Sequence, residues 1–231
     1  MLRKQENTTR DNMTEILAYH SISNNSEDPW AVSPSTFGLE MQWLAERGYK
    51  GVSLKEFFKD IKQKKAIILT FDDGYKDFSD TAMPVLDRFN FSATVFIVSK
   101  LVGDTARWRK RELHLMALLD WSEIHNVLNA GHEIGSHGLY HLNFSCLSRR
   151  ALWREIAESK EMIEEKIKLP IVSFAYPYNV YNKWTVDTVK EAGYKYAVKN
   201  DNDYINNYKS DCFLLCRRVI NSENSVKDFI E

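Results

Sequence analysis

Short apolar runs alternate along this chain with longer amphipathic stretches, the pattern of repeated βα units. Glu15–His20 reads as a first strand. Ser33-Pro34 then opens a helix: Ser33 caps it, Pro34 suits its first position, and Phe37, Met41 and Leu44 share one face. Gly48 ends it, a short strand lies near Val52, and a second helix is expected around Leu54–Ile61. Ala66–Phe71 is a continuous apolar run closed by Asp72-Asp73-Gly74, as a strand buried on both faces requires. Pro84–Phe89 reads as helix and Ala93–Val98, rich in β-branched residues, as strand. Residues 99–112 read as a loop in which Trp108 stands among basic residues. Asp120 caps a helix running to Ala130, which Gly131 terminates.

The second half repeats the theme. His132–His137 is a strand, and Ser148–Lys168 a long helix whose Leu152, Ile156, Met162, Ile163 and Ile167 form one apolar stripe before Pro170 stops it. Strands follow at Ile171–Ala175, Tyr196–Val198 and Phe213–Ile220, with a helix near Trp184–Ala192 and a polar loop over Asn200–Lys209. About eight strand candidates alternating with helices predict a distorted (β/α) barrel of seven to eight parallel strands, TIM-barrel-like. A doubly wound parallel sheet is the alternative. No linker, repeat or low-complexity tract divides the chain, so residues 1–14 are expected to be a flexible segment and 15–231 a single domain.

Composition narrows the partners. A chain of 231 residues, 44% hydrophobic, fits one medium-sized domain with an ample core. Its 31 basic and 32 acidic residues leave a formal charge of −1, which gives no reason to expect nucleic acid or an anionic membrane. Cys146, Cys212 and Cys216 are odd in number and lack zinc-ribbon spacing, so they read as reduced thiols. No signal-peptide pattern or membrane-spanning apolar run is visible, which predicts a cytoplasmic protein; a chain trimmed of an export signal would read the same way.

Candidate chemistry collects at strand ends, where barrel enzymes place their sites. Asp72 and Asp73 close the most apolar strand, and adjacent buried carboxylates call for a compensating charge such as a metal ion. His137 and His141 are four apart, and a helical turn would set both imidazoles on one face. Two histidines and one carboxylate leave coordination positions open, the arrangement of a catalytic metal centre. Phe174-Ala175-Tyr176-Pro177-Tyr178-Asn179 ends a further strand with a rigid turn and aromatic walls suited to a sugar ring. Each feature alone is ordinary: aspartate pairs also occur in nucleotide-binding strands, although the phosphate loop that must accompany them is absent here. The combination in this order is far more specific.

Thr70–Gly74, the run Gly131–His137 with His141, and Phe174–Tyr178 together resemble the polysaccharide deacetylases, the NodB-homology carbohydrate esterases. The likeness extends over most of the chain, including Ala18-Tyr19-His20, the Ser33–Phe37 helix start, Pro84, Trp121 and Glu155-Ile156. The resemblance implies a distorted (β/α) barrel that removes N-acetyl, sometimes O-acetyl, groups from sugars with zinc or another divalent ion. It implies Asp73, His137 and His141 as metal ligands, Asp72 as general base and the Tyr178 N–H as an oxyanion donor. Zinc is the expected metal, with cobalt, nickel or manganese as alternatives, and the expected partner is a carbohydrate bearing N-acetyl groups, held by Tyr176, Pro177 and Tyr178.

Departures from that pattern matter. Gly138 stands where such proteins usually carry Ser or Thr, and Ala175 where an arginine often orients the base. Asn179 replaces a usual glycine; asparagine tolerates positive φ. No histidine follows His141, so the late Leu-x-His motif that supplies the general acid is missing. His20 ends the first strand, which in a closed barrel neighbours the last, and is the candidate proton donor. Its competing reading is a hydrogen-bonded histidine at a strand end. Of the Arg217-Arg218 pair, one is expected to reach Asp72 and the other solvent. Glu133 shares the His137 side and reads as a possible partner behind the metal ligands, His132 as structural, His114 and His125 as solvated helix residues and Trp121 as packing.

The function expected is release of acetate from an N-acetylhexosamine-containing saccharide or glycoconjugate. The alternatives are a weakly active metal- or carbohydrate-binding relative and a deacylase of the same fold acting on a non-sugar amide.

Overall fold

The computed structural model describes residues 13–59, 65–109, 116–203, 206–207 and 211–230. The expectations for residues 1–12, for the end of the helix toward Ile61 and for His114 lie outside them.

Eight parallel strands form the principal sheet: β1 (Ile16–Tyr19), β2 (Lys50–Val52), β3 (Ala66–Phe71), β4 (Thr94–Ile97), β5 (Glu133–Ser136), β6 (Ser173–Ala175), β7 (Tyr196–Asn200) and β8 (Leu215–Val219). Their order is β1-β8-β7-β6-β5-β4-β3, and β3 pairs back to β1, closing a seven-stranded barrel. The first and last strands are neighbours, with Leu17 opposite Arg218 and Ala18 opposite Val219. One strand departs from simple rotation: β2 lies outside the ring. Ile68 faces Ile16 across one edge of β3 and Val52 across the other, so β2 occupies the edge that β4 takes over at Thr70 and Phe71. Met13–Thr14, within the stretch expected to be a flexible segment, pair antiparallel with Asn206–Asn207.

The helices begin where the sequence signals them. Ser33 Oγ accepts from Thr36 N at 3.1 Å to cap α1 (Pro34–Glu46), and α2 spans Leu54–Lys59. A π-helical turn at Phe78–Ala82 precedes α3 (Met83–Arg88). Asp120 and Glu123 form a reciprocal capping box on α4 (Trp121–Asn129). The long helix expected over Ser148–Lys168 is a rod in three parts: α5 (Arg149–Trp153), a π-helical turn (Arg154–Glu158) and α6 (Ser159–Ile167). It leaves helical geometry at Lys168, φ 58°, two residues before Pro170. α7 (Lys183–Glu191) and α8 (Lys227–Ile230) complete the set.

Period-two alternation sorts the strand residues into two cores. Ile16, Ala66, Ile68, Phe96, Ala175, Val198 and Leu215 fill the barrel, while Leu17, Leu69, Phe71, Val95, Ile97 and Phe174 pack outward beneath the helices. Gly135 is dictated by this interior: a Cβ there would lie 2.5 Å from the Phe96 ring. Continuing the inward series one step past the strand ends brings His20, Asp72 and His137 to the same mouth. Arg217 joins them from within β8, two residues beyond inward Leu215.

Candidate active site

The carboxylates at the end of β3 face one cavity only because the backbone changes direction between them. Asp72 continues the inward series of Ala66, Ile68 and Thr70, and its N–H donates to Tyr19 O at 2.9 Å. An extended Asp73 would point away. Instead Asp73 has φ 72° and Gly74 φ 69°, which swings the second carboxylate back to the mouth.

The run from His137 to His141 is a loop, not the helical turn expected from its spacing. Gly138 has φ 84° and His141 φ 58°. Ser136 Oγ accepts from Gly138 N at 3.2 Å, and the Glu155 carboxylate accepts from Leu139 N at 3.1 Å and Tyr140 N at 3.0 Å. On the other side Ser99 N and Lys100 N donate to the carbonyls of Gly138 and Leu139. These contacts replace the hydroxyl that a Ser or Thr at position 138 would bring. They also explain the glycine, since a Cβ on Gly138 would sit 3.3 Å from Glu155 Oε2 at a left-handed φ. Glu155 reaches the loop from the π-helical turn, a local widening that is common at functional positions.

Asp73 Oδ1 lies 3.5 Å from His137 Nε2 and 3.3 Å from His141 Nε2, and the candidate ligand atoms of the three residues fall within 4.8 Å of one another. All three are buried. His137 Nδ1 is 2.8 Å from Ala175 O; a carbonyl only accepts, so Nδ1 carries the proton and Nε2 keeps its lone pair toward Asp73. Burial, opposed by the charge of Asp72, lowers His137 to about 4, which keeps the imidazole neutral at pH 7. Burial acts to raise Asp73, but the hydrogen bond and charge of His141, with His20 and His137, hold its carboxyl far below the ordinary range. His141 is packed between Trp108, stacked at 4.5 Å, and Tyr178, edge-on at 4.4 Å.

Arg217 grips Asp72 with both arms of its guanidinium, Nη1 to Oδ1 and Nη2 to Oδ2, each at 2.6 Å. Its other donors reach Thr70 Oγ1 and Asn200 Oδ1, both at 3.1 Å. The arginine absent at Ala175 is thus supplied from β8. Burial favours a raised Asp72 pKa, yet Arg217, then His137 and His20, outweigh it and hold the group below the usual carboxylate value. The neighbouring Arg218 does not meet solvent as expected: it is buried and pairs with Glu15 at 3.2 Å. His20 Nε2 stands 4.0 Å from Asp72 Oδ2, the Trp30 ring covers His20 at 5.0 Å, and Nδ1 has no hydrogen-bond partner among the described residues.

These groups line a cavity of about 550 Å³. Tyr176 and Tyr178 form part of its wall; the Tyr176 hydroxyl is committed to Phe213 O at 2.8 Å, and Tyr178 is half-exposed. Pro177 does not reach the cavity. It is buried near the Gly138 loop and shapes the turn, in which Tyr178 and Asn179 have φ 55° and 57°. Asn179 secures that turn through reciprocal side-chain bonds to Asn200 N and O at 2.8 and 2.9 Å.

Glu133 does face the barrel interior with His137, but from the opposite end of β5. It accepts from Thr94 Oγ1 at 2.7 Å, Lys55 N at 2.8 Å and Ser173 Oγ at 2.8 Å, closing the barrel floor rather than supporting a ligand. His132 is structural, its Nδ1 accepting from Ala93 N at 3.1 Å, and His125 is exposed. Trp30, Trp108, Arg109, Asn200 and the loop-holding role of Glu155 were not read from the sequence. Their only signals were aromatic or charged residues in polar loops, and an acid on the buried side of a helix.

Residues 59–197 match the family described as polysaccharide deacetylase. A Bacillus subtilis protein named for the same family, YxkH, is 29% identical over 191 residues, spanning 80% of this chain and 64% of that protein. The poly-beta-1,6-N-acetyl-D-glucosamine N-deacetylase of Staphylococcus aureus is 24% identical over 233 residues, covering 95% of this chain and 78% of that protein. In fold the chain is similar to the Streptococcus pyogenes deacetylase PplD solved with acetate, with a TM-score of 0.82 at 24% identity over 95% of this chain and 98% of that one. No helix among the described residues is long and apolar enough to cross a membrane.

Proposed function

This chain belongs to the polysaccharide deacetylase family, and on that premise we propose that it hydrolyses the carbon–nitrogen bond of N-acetyl groups on an N-acetylhexosamine-containing saccharide, releasing acetate. The observation that carries the reading is the convergence, at one cavity, of the Asp73–His137–His141 cluster with an Asp72 held by Arg217. The three residues fit a divalent ion: two imidazoles and a carboxylate are converged and buried, and His137 is locked in the tautomer that leaves Nε2 available. Zinc suits this donor set best, with cobalt, nickel or manganese as alternatives. When bound, such an ion supplies Lewis-acid polarisation of the acetyl carbonyl and of water.

The chain's own groups complete the chemistry. Asp72, aimed by Arg217, accepts the proton of the attacking water. Tyr178 lies in the first turn after Pro177, where backbone N–H groups lack internal partners, and its N–H donates to the developing oxyanion. His20 gives a proton to the departing amine, a role supported by its position beside Asp72 in the cavity wall. Tyr176 and Tyr178 offer ring edges and faces to the sugar.

The test is acetate release from N-acetylglucosamine oligomers and glycoconjugates with each metal in turn, alongside metal analysis. Asp72→Asn should lower kcat by at least roughly a hundredfold, and His20→Ala should also lower kcat roughly a hundredfold. Acetate release unaffected by Asp72→Asn would sink the mechanism. Metal binding without turnover across the panel would favour a binding role, and cleavage confined to small non-sugar amides would reassign the substrate.

A further inference from the structure

Two loops that are far apart in sequence meet beside the cavity through a buried ion pair that the chemistry above does not use. The first joins β1 to α1 and carries Asp28 and Trp30; the second follows β4 and carries Trp108 and Arg109. An Arg109 Nη2 contacts Asp28 Oδ1, with the Asp28 side chain wholly buried and that of Arg109 only 10% exposed. The same Asp28 Oδ1 accepts from Trp30 N at 3.0 Å, while Arg109 Cζ lies 5.9 Å over the Tyr75 ring, which itself adjoins Asp73. Asp28 Oδ2 and Arg109 Nε have no hydrogen-bond partner among the described residues.

Such a pair is a poor investment in stability: desolvation of both charges offsets their attraction unless every lone pair and proton is satisfied, and among the described residues Asp28 Oδ2 and Arg109 Nε are not. Fixing one arrangement of two chain segments is the better-supported use of a buried pair. The segments fixed here carry the two indoles that flank the site, Trp30 over His20 and Trp108 over His141. We infer that Asp28 and Arg109 are positioning residues, a clasp that holds Trp30 and Trp108 as opposed walls of the sugar-binding cavity.

The clasp predicts coupling across the cavity, and this can be read without turnover. Protein labelled with 5-fluorotryptophan gives fluorine resonances for the two indoles, assigned by Trp30→Phe and Trp108→Phe. Asp28→Asn, which keeps an acceptor for Trp30 N–H, should move the Trp108 resonance, and Arg109→Lys, which keeps the charge but loses the planar guanidinium, should move that of Trp30. The double variant Asp28→Asn/Arg109→Met leaves no lone buried charge, so it guards against simple misfolding, and it should move both. Only the kinetic arm rests on the deacetylase reading: the double variant should raise KM for an N-acetylglucosamine oligomer roughly tenfold with kcat changed less than about threefold. The clasp is overturned if each single substitution moves only the indole on its own loop. It is equally overturned if the double variant keeps both wild-type resonances, or moves them with KM unchanged. Absence of any sugar turnover would count against the proposed function and leave the resonance test standing.

Discussion

Replacing Arg217 by methionine tests how this site keeps a charged base inside a barrel. The substitution preserves length and apolar bulk but removes a guanidinium that makes two 2.6 Å bonds to Asp72 and one each to Thr70 and Asn200. A buried carboxylate stripped of its partner costs about 3–5 kcal/mol, a figure that already contains the lost charge-assisted bonds. The sign with pH follows from the two states. In the wild type, Asp72 titrates below its unfolded value, so its contribution is present above about 4 and is lost as pH falls through the lowered native pKa. In the variant, burial acts with little opposition and raises the native pKa above the unfolded one, so the native state takes up a proton and the penalty shrinks toward acid. Urea unfolding followed by circular dichroism should therefore show a loss of about 3–5 kcal/mol at pH 8, falling to about 1–2 kcal/mol at pH 5. Asp72→Asn on the Arg217→Met background should recover most of the pH 8 loss, because it removes the unpaired charge. A loss below about 1 kcal/mol, or one equal at both pH values, would refute the claim that Arg217 is there to hold a charged Asp72.

Placing the hydroxyl that the family resemblance leads one to expect after the first histidine should harm this chain. Gly138→Ser meets a φ of 84° and a Glu155 oxygen 3.3 Å from the new Cβ, so melting should show a loss of about 1–3 kcal/mol and weaker zinc binding by calorimetry; an unchanged Tm would contradict it. Glu40 offers a separate pH test. Burial, partly offset by hydrogen bonds from Tyr19 and Val226, raises it to about 7. The native state then binds a proton that the unfolded chain releases from about 4.5 upward, so this group lowers stability as pH rises through that window to about 7. Glu40→Gln should gain on the wild type by about 2–3 kcal/mol between pH 5 and pH 8, and parallel stability curves for the two proteins would exclude the assignment.

How far the sequence reached is clearest at particular residues. Asp72, Asp73, His137 and His141 were legible because a polar residue at the end of an apolar run is costly without a purpose, and that cost is a local property. His20 is legible for the same reason, and the closed barrel sets it beside Asp72. Local spacing misleads where a segment's conformation is set by distant residues. The four-residue spacing of the histidines suggested a helical turn, but Glu155, Ser136, Ser99 and Lys100 impose a loop that only tertiary contacts specify. Glu133 lies on the expected face of its strand but at the end away from His137, where it meets Lys55, Thr94 and Ser173 instead of a metal ligand, since alternation gives direction but not depth.

The order of apolar and polar positions in this chain was enough to determine the alternation of strands and helices, the inward series and the polar residues at the strand ends, because periodicity and burial act over a few neighbouring residues. Closure into a barrel rather than an open sheet was decided by the pairing of β3 with β1. Tertiary structure alone decided which partner each of them meets. The arginine that steadies Asp72 comes from 145 residues away, β2 is displaced from the ring by pairing between β1 and β3, and the loops carrying Trp30 and Trp108 are joined by Asp28 and Arg109. Each of these is a choice among long-range pairings of similar local merit, settled by which pairing satisfies the buried charges and fills the space between the strands.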